Sequence, residues 1–124
     1  VNRPLAVLVA VVDTALVLSF VAIGRVEHGS GPVLGVLATA WPFLVALAVA
    51  WLVTLAWRAP LAVARTGLPI WATTVAGGIL LRLASGDTSA PAFIVVAALT
   101  LAVFLLGWRA IVAGVRRLTR RRRR

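Results

Sequence analysis

The run LAVLVAVVDTALVLSFVAI, residues 5–23, decides the fold class. Only Asp13, Thr14 and Ser19 interrupt its apolar character. At 1.5 Å of rise per residue a helix of this length reaches about 28 Å, one hydrocarbon thickness. Three further runs are long enough to do the same: Val33 to Trp57 with Pro42 inside it, Leu68 to Leu83, and Pro91 to Trp108. Residues 24–32, 58–67 and 84–90 separate them, each with Gly, Pro or Ser punctuation, so the joints are short loops. The expectation is an all-α polytopic membrane protein, a bundle of four transmembrane helices occupying residues 1–115, followed by an arginine-rich tail at 116–124. A secretory signal would instead use Arg3 as its basic end and Ala22-Ile23-Gly24 as its cleavage site. The apolar run is long for that role and carries a central aspartate, which favours a span.

Composition agrees. The chain of 124 residues is 62% hydrophobic and 13% charged, far from the balance of a soluble domain. The formal net charge of +10 is concentrated at segment ends: seven of the thirteen basic residues lie between Arg116 and Arg124. A run without aromatic interleaving or a reading module does not suggest nucleic acid, and none is expected as a partner. No cysteine is present, which excludes disulfides, thiolate chemistry and cysteine metal sites. Every basic residue is arginine, beside abundant Ala, Val, Leu and Gly, a bias that points to a GC-rich bacterial genome.

Orientation follows from the arginines. With the N-terminus in the cytoplasm, Arg3, Arg58, Arg65, Arg109, Arg116, Arg117 and Arg120 to Arg124 lie inside, against Arg25 and Arg82 outside. Glu27, His28 and Asp87 then fall in the outer loops. The chain is expected in a bacterial plasma membrane with both termini cytoplasmic. Trp57, Trp71 and Trp108 sit near the inner ends, as an interfacial aromatic belt requires, whereas Trp41 and Trp51 fall within the bundle as packing or lining residues.

Gly24-Arg25 with His28-Gly29, Thr39-Ala40-Trp41-Pro42-Phe43, Gly77-Gly78-Ile79-Leu80-Leu81-Arg82, and Phe104-Leu105-Leu106-Gly107-Trp108-Arg109 together resemble a family of small four-span prokaryotic membrane proteins. That family is catalogued as domain of unknown function 3054 and is familiar chiefly from actinobacteria. The resemblance covers nearly the whole chain apart from the tail. It implies the four-span architecture and brings no catalytic or binding residues with it.

Among the polar residues Asp13 is the most informative, because a carboxylate at the centre of a span is costly and seeks a partner. Laid between the interfaces, Asp13, Thr73, Thr74 and Thr100 all fall about 13 to 15 Å below the outer surface. Pro42 lies at a similar depth, where it kinks the second span and frees the carbonyl of Ala38. On this reckoning no arginine of the chain shares the depth of Asp13. The expectation is a polar layer in which a protonated Asp13 donates to a threonine or a freed carbonyl. That layer serves as structural glue or as a proton-titrating or cation-binding site, or, as a third reading, Asp13 pairs with an arginine of a partner subunit. Arg25, Glu27, His28, Arg82 and Asp87 form a candidate outer charged cap, too sparse for a metal centre, so neither metal nor cofactor is expected. Small residues four apart, Ala46-Ala50-Thr54, Thr73-Gly77 and Ala98-Ala102, mark close helix packing. Arg116, Arg117, Arg120, Arg121, Arg122, Arg123 and Arg124 are candidate contacts to anionic lipid at the cytoplasmic leaflet, on a tail that is either helical or disordered.

The chain shows no nucleophile–base pair, metal-ligand cluster or phosphate-cradling loop. A non-enzymatic scaffold or accessory subunit is the first expectation, as a homo-oligomer or within a larger membrane complex. A small proton-coupled carrier or channel using Asp13 is the second. A lipid-handling enzyme, resting on His28, Glu27 and Asp87, is the third.

Overall fold

The computed structural model describes residues 2–27, 33–86 and 90–123. Its long elements are α1 (Arg3–Glu27), α2 (Val33–Val53), α3 (Leu68–Ala84) and α4 (Pro91–Arg123), and no strand occurs among the described residues. Each contains a stretch long and apolar enough to cross a membrane, α3 together with the turn that precedes it. Local chemistry sets the ends. The Asn2 side chain accepts the Leu5 N–H at 3.1 Å and caps α1. Pro91 opens α4 where its missing N–H costs nothing. Gly86, at φ +92, takes the left-handed conformation that terminates α3.

Contacts between helices establish an antiparallel up-and-down bundle. Phe20 of α1, Phe43 of α2 and Phe93 of α4 cluster with ring centroids 6.0 to 6.4 Å apart. Some distance away, Asp13 of α1 meets Trp51 of α2 and Arg109 of α4. Moving from the phenylalanines to Asp13 runs backward along α1 but forward along α2 and α4, so α1 is antiparallel to both. α3 follows the direction of α1: Gly78 packs on Phe43 at one end and Gly67, just before the helix, lies against Leu106 and Arg109 at the other.

Buried positions trace one stripe per helix. In α1 these are Ala6, Val9, Asp13, Val17 and Phe20/Val21; in α4 they are Ala97, Leu101, Leu105 and Arg109, each four residues on. Large aliphatic side chains such as Leu8, Leu52, Leu80, Leu99 and Val103 point outward, as a lipid-facing surface requires. Lipid tails are as apolar as these side chains, so close packing and polar contacts hold the helices together. The α2–α3 interface is the most extensive. There a methyl group built on Gly77 would sit 3.0 Å from the Ala46 Cβ, and one on Gly78 would sit 2.3 Å from Phe43 Cδ1. The small residues at Ala46 and Gly77 therefore serve contacts within the chain.

One feature differs from the sequence expectation, and a second decides what the sequence left open. The second helix ends at Val53 and does not continue to Trp57. Leu55 adopts a left-handed conformation at φ 51, which stops the helix, and the chain proceeds through a 3-10 turn (Ala56–Arg58) and a single π turn (Val63–Gly67) into α3. This connection is packed against the bundle, with Ala56, Pro60, Thr66 and Gly67 buried. The fourth helix, in turn, does not stop at Trp108. It runs through Arg123, 33 residues and about 50 Å, so it projects well beyond one membrane thickness and the tail is helical.

Candidate functional site

A fully buried ion pair lies within the bundle. Arg109 Nη2 lies 2.7 Å from Asp13 Oδ2 and Nη1 lies 2.8 Å from Oδ1, a two-pronged contact between side chains that are both fully buried. The planar guanidinium suits this geometry because its N–H groups project in parallel toward the two carboxylate oxygens. Two indoles complete the carboxylate's shell: Trp108 Nε1 donates to Oδ1 and Trp51 Nε1 to Oδ2, each at 3.0 Å. Asp13 therefore accepts four N–H groups, two on each oxygen. Each oxygen is bonded by two N–H donors and by no acceptor among the described residues, so the arrangement is that of a carboxylate.

Arg109 is equally well occupied. Its Nε donates to Pro60 O at 2.8 Å and its Nη1 also reaches Leu105 O, one turn back on its own helix, at 3.0 Å. Its Cζ stands 5.1 Å from the ring centre of Trp108, adding a cation–π contact. Through this one side chain α1, α4 and the connection between α2 and α3 are tied at a single point. Next to it, Thr66 Oγ1 donates to Ala59 O at 2.6 Å and fixes the same connection a second time. Gly67 lets the connection pack closely here, since a methyl would lie 2.9 Å from Leu106 Cδ2 and 3.2 Å from Arg109 Cδ.

This clasp overturns the expectation that no arginine reaches Asp13 and that the carboxyl is protonated. Side chains on an α-helix lean toward its N-terminus. Because α1 and α4 are antiparallel, Asp13 leans toward the end of the bundle where Arg109 is rooted, and Arg109 leans back toward the middle. Each shortens the gap that helix rise alone predicts. Counting residues along isolated spans placed Arg109 at a membrane surface, whereas its buried stripe with Leu101 and Leu105 turns it inward.

The threonine layer does not form around Asp13 either, since its four donors come from Trp51, Trp108 and Arg109. Thr74 is fully buried, but its Oγ1 has no hydrogen-bond partner among the described residues. Thr73 and Thr100 are half-buried. Pro42 is buried inside a helix that continues past it, beside Phe43, nine residues and about 13 Å along α2 from Trp51. It thus belongs to the phenylalanine layer rather than to the layer of Asp13. Trp108, placed in an interfacial belt by its position near a span end, points into the bundle instead. Trp51 does line its interior, as its place within the second run suggested.

In the outer cap, Arg82 Cζ lies 4.8 Å over the Phe93 ring. The side chains of Arg25 and Glu27, and residues His28 and Asp87, lie outside the described part of the structure, as does Arg124. No group of three or more metal-ligating side chains occurs among the described residues. Arg116, Arg117, Arg120, Arg121, Arg122 and Arg123 are exposed on the projecting end of α4.

Comparison with known proteins gives one match. The model of a family described as a protein of unknown function, DUF3054, covers residues 10–112, and the chain belongs to that family. The matched span contains every member of the clasp. No curated protein and no solved structure matches the chain.

Proposed function

We propose that this protein is a non-enzymatic scaffold or accessory subunit of a bacterial plasma-membrane complex, with the Asp13–Arg109 pair as the internal clasp that fixes its shape. The observation that carries this reading is the complete internal use of the carboxylate: four donors from its own chain occupy both oxygens. A coupling site must exchange its proton or ion with each side of the membrane in turn, and such sites lie where helices break to admit the cargo. Here α1 and α4 run unbroken past the carboxylate, the connection that follows α2 is packed against Arg109 through Pro60 O, and the carboxylate's partners are three side chains of its own chain. Buried ionic groups of this kind serve best as devices that select one register over its alternatives.

The positive-inside pattern places both termini in the cytoplasm, with the arginine-rich end of α4 at an anionic leaflet. The lipid-facing aliphatic surface leaves ample area for a second copy or for a larger partner.

Solubilisation in mild detergent from native membranes, followed by sizing, tests the reading: the chain should migrate stoichiometrically with a larger complex. In the same preparation, liposomes containing the purified chain should show no proton flux above empty liposomes. Flux that disappears in Asp13→Asn would overturn the scaffold and establish the proton-coupled carrier.

A further inference from the structure

Beyond the buried bundle, α4 carries two opposed faces. Ile111, Val115 and Leu118 are each more than half exposed and recur at intervals of four and three, so they form one apolar stripe. At 100° per residue, Val112, Ala113, Arg116, Arg117 and Arg120 centre on the opposite face. That second face is not bare. Together with Leu61 and Ala62 of the α2–α3 connection it borders an open hollow of about 270 Å³. The wall across from α4 is held in place, since Pro60, the residue before Leu61, is fixed by Arg109, and Ala59 is fixed by Thr66. The hollow thus has an apolar floor, three guanidinium groups and no acidic residue in its lining.

We propose that this hollow is a discrete binding site for the phosphate-bearing headgroup of an anionic membrane lipid. The three arginines supply bidentate donors for phosphate oxygens. Leu61, Ala62, Val112 and Ala113 receive the glycerol and the first methylenes of the acyl chains. The place is right for a lipid: it is the level at which α4 leaves the bundle, with the Ile111–Val115–Leu118 stripe on the outer side of the same helix. A free phosphate would use the guanidinium groups but not the apolar floor. The site rests on the proposed placement of this end of α4 at an anionic leaflet but not on the scaffold role, and it divides the arginine-rich segment into Arg116, Arg117 and Arg120, which line the hollow, and Arg121 to Arg123, which spread around the helix.

The division supplies the test. Short-chain phosphatidylglycerol is titrated by calorimetry into the full chain in an uncharged detergent, against inorganic phosphate as a second titrant. Arg116→Gln/Arg117→Gln/Arg120→Gln should weaken lipid binding at least about tenfold, given that each arginine near an anionic lipid surface contributes severalfold. Arg121→Gln/Arg122→Gln/Arg123→Gln, which removes the same charge, should change it less than about twofold. Ala113→Trp keeps every arginine and fills the hollow, and it should weaken lipid binding to a similar extent. Equal losses in the two triple variants, or no loss with Ala113→Trp, would overturn the site in favour of diffuse attraction by the tail. Inorganic phosphate binding as tightly as the lipid would overturn the assignment to a lipid. All the substituted side chains are exposed or line the cavity, and unchanged helical circular dichroism confirms that the variants are folded.

Discussion

Replacing Asp13 by asparagine keeps the shape of the side chain and removes the charge that Arg109 faces. The guanidinium stays where it is, fully buried and held by Pro60 O and Leu105 O, and two of its N–H groups now meet an amide whose NH2 is itself a donor. Four N–H groups are left to share one carbonyl oxygen. Breaking a buried pair by removing one partner costs about 3 to 5 kcal/mol, a large part of the 5 to 15 kcal/mol that typically separates folded from unfolded protein. Arg109→Met leaves the carboxylate buried with only the two indoles and costs about the same. Removing both charges together, as Asp13→Leu/Arg109→Met, leaves no buried ion. The Trp51 and Trp108 N–H groups and Pro60 O then lose partners, at about 1 kcal/mol or slightly more each, while Leu105 O loses the Arg109 side chain but lies within the α4 helix. Asp13→Leu alone leaves Arg109 just as unpaired as Asp13→Asn does and costs about 3 to 5 kcal/mol as well. The double variant is expected to lose no more than either single, so the cycle of Asp13→Leu and Arg109→Met gives a coupling of at least about 3 kcal/mol. Denaturation in detergent micelles, followed by near-ultraviolet circular dichroism of the tryptophans, measures all four corners. Additive losses, or an Asp13→Asn protein as stable as the wild type, would refute the clasp.

Trp51→Phe and Trp108→Phe each remove one donor to the Asp13 carboxylate and should each cost about 1 to 2 kcal/mol, while Trp71→Phe, which releases the neutral carbonyl of Ala98, should cost about 1 kcal/mol or less in the same titration. Gly78→Ala forces a methyl into Phe43 and should destabilise by about 1 to 3 kcal/mol; Gly107→Ala and Gly114→Ala, with open space around the new Cβ, should be neutral or stabilising by up to about 1 kcal/mol. An enzymatic reporter fused after Arg124 should be active in the cytoplasm alone, because the arginine-rich end and the Arg58–Arg65 stretch both resist translocation; activity on the outer side would reverse the topology.

The four spans, their short connections and their alternating direction were legible in the sequence because each depends on properties that act locally. Apolar length is fixed by the thickness of a bilayer, Pro91 opens a helix wherever it stands at the first position, and Gly86 accepts a left-handed turn that few residues tolerate. The importance of Asp13 was legible for the same reason, since a carboxylate in the middle of an apolar run signals a partner before the partner is known. The sequence pattern did not place the end of α2, where the choice between continuing to Trp57 and turning at Leu55 rests on how the following connection packs. It left open whether α4 continued through its arginines, which the structure decides: arginine is a good helix former and the helix was already nucleated. The partner of Asp13 lay beyond its reach altogether. Arg109 is 96 residues away in the chain and stands next to a tryptophan at what looks like a span end. Only the antiparallel packing of α1 and α4, with the two side chains leaning toward each other across it, brings guanidinium and carboxylate to 2.7 Å. Length and hydropathy are properties of each segment alone and survive in any arrangement of the helices. Which buried charge meets which is a property of their relative rotation and stagger, and the tertiary structure alone decided it.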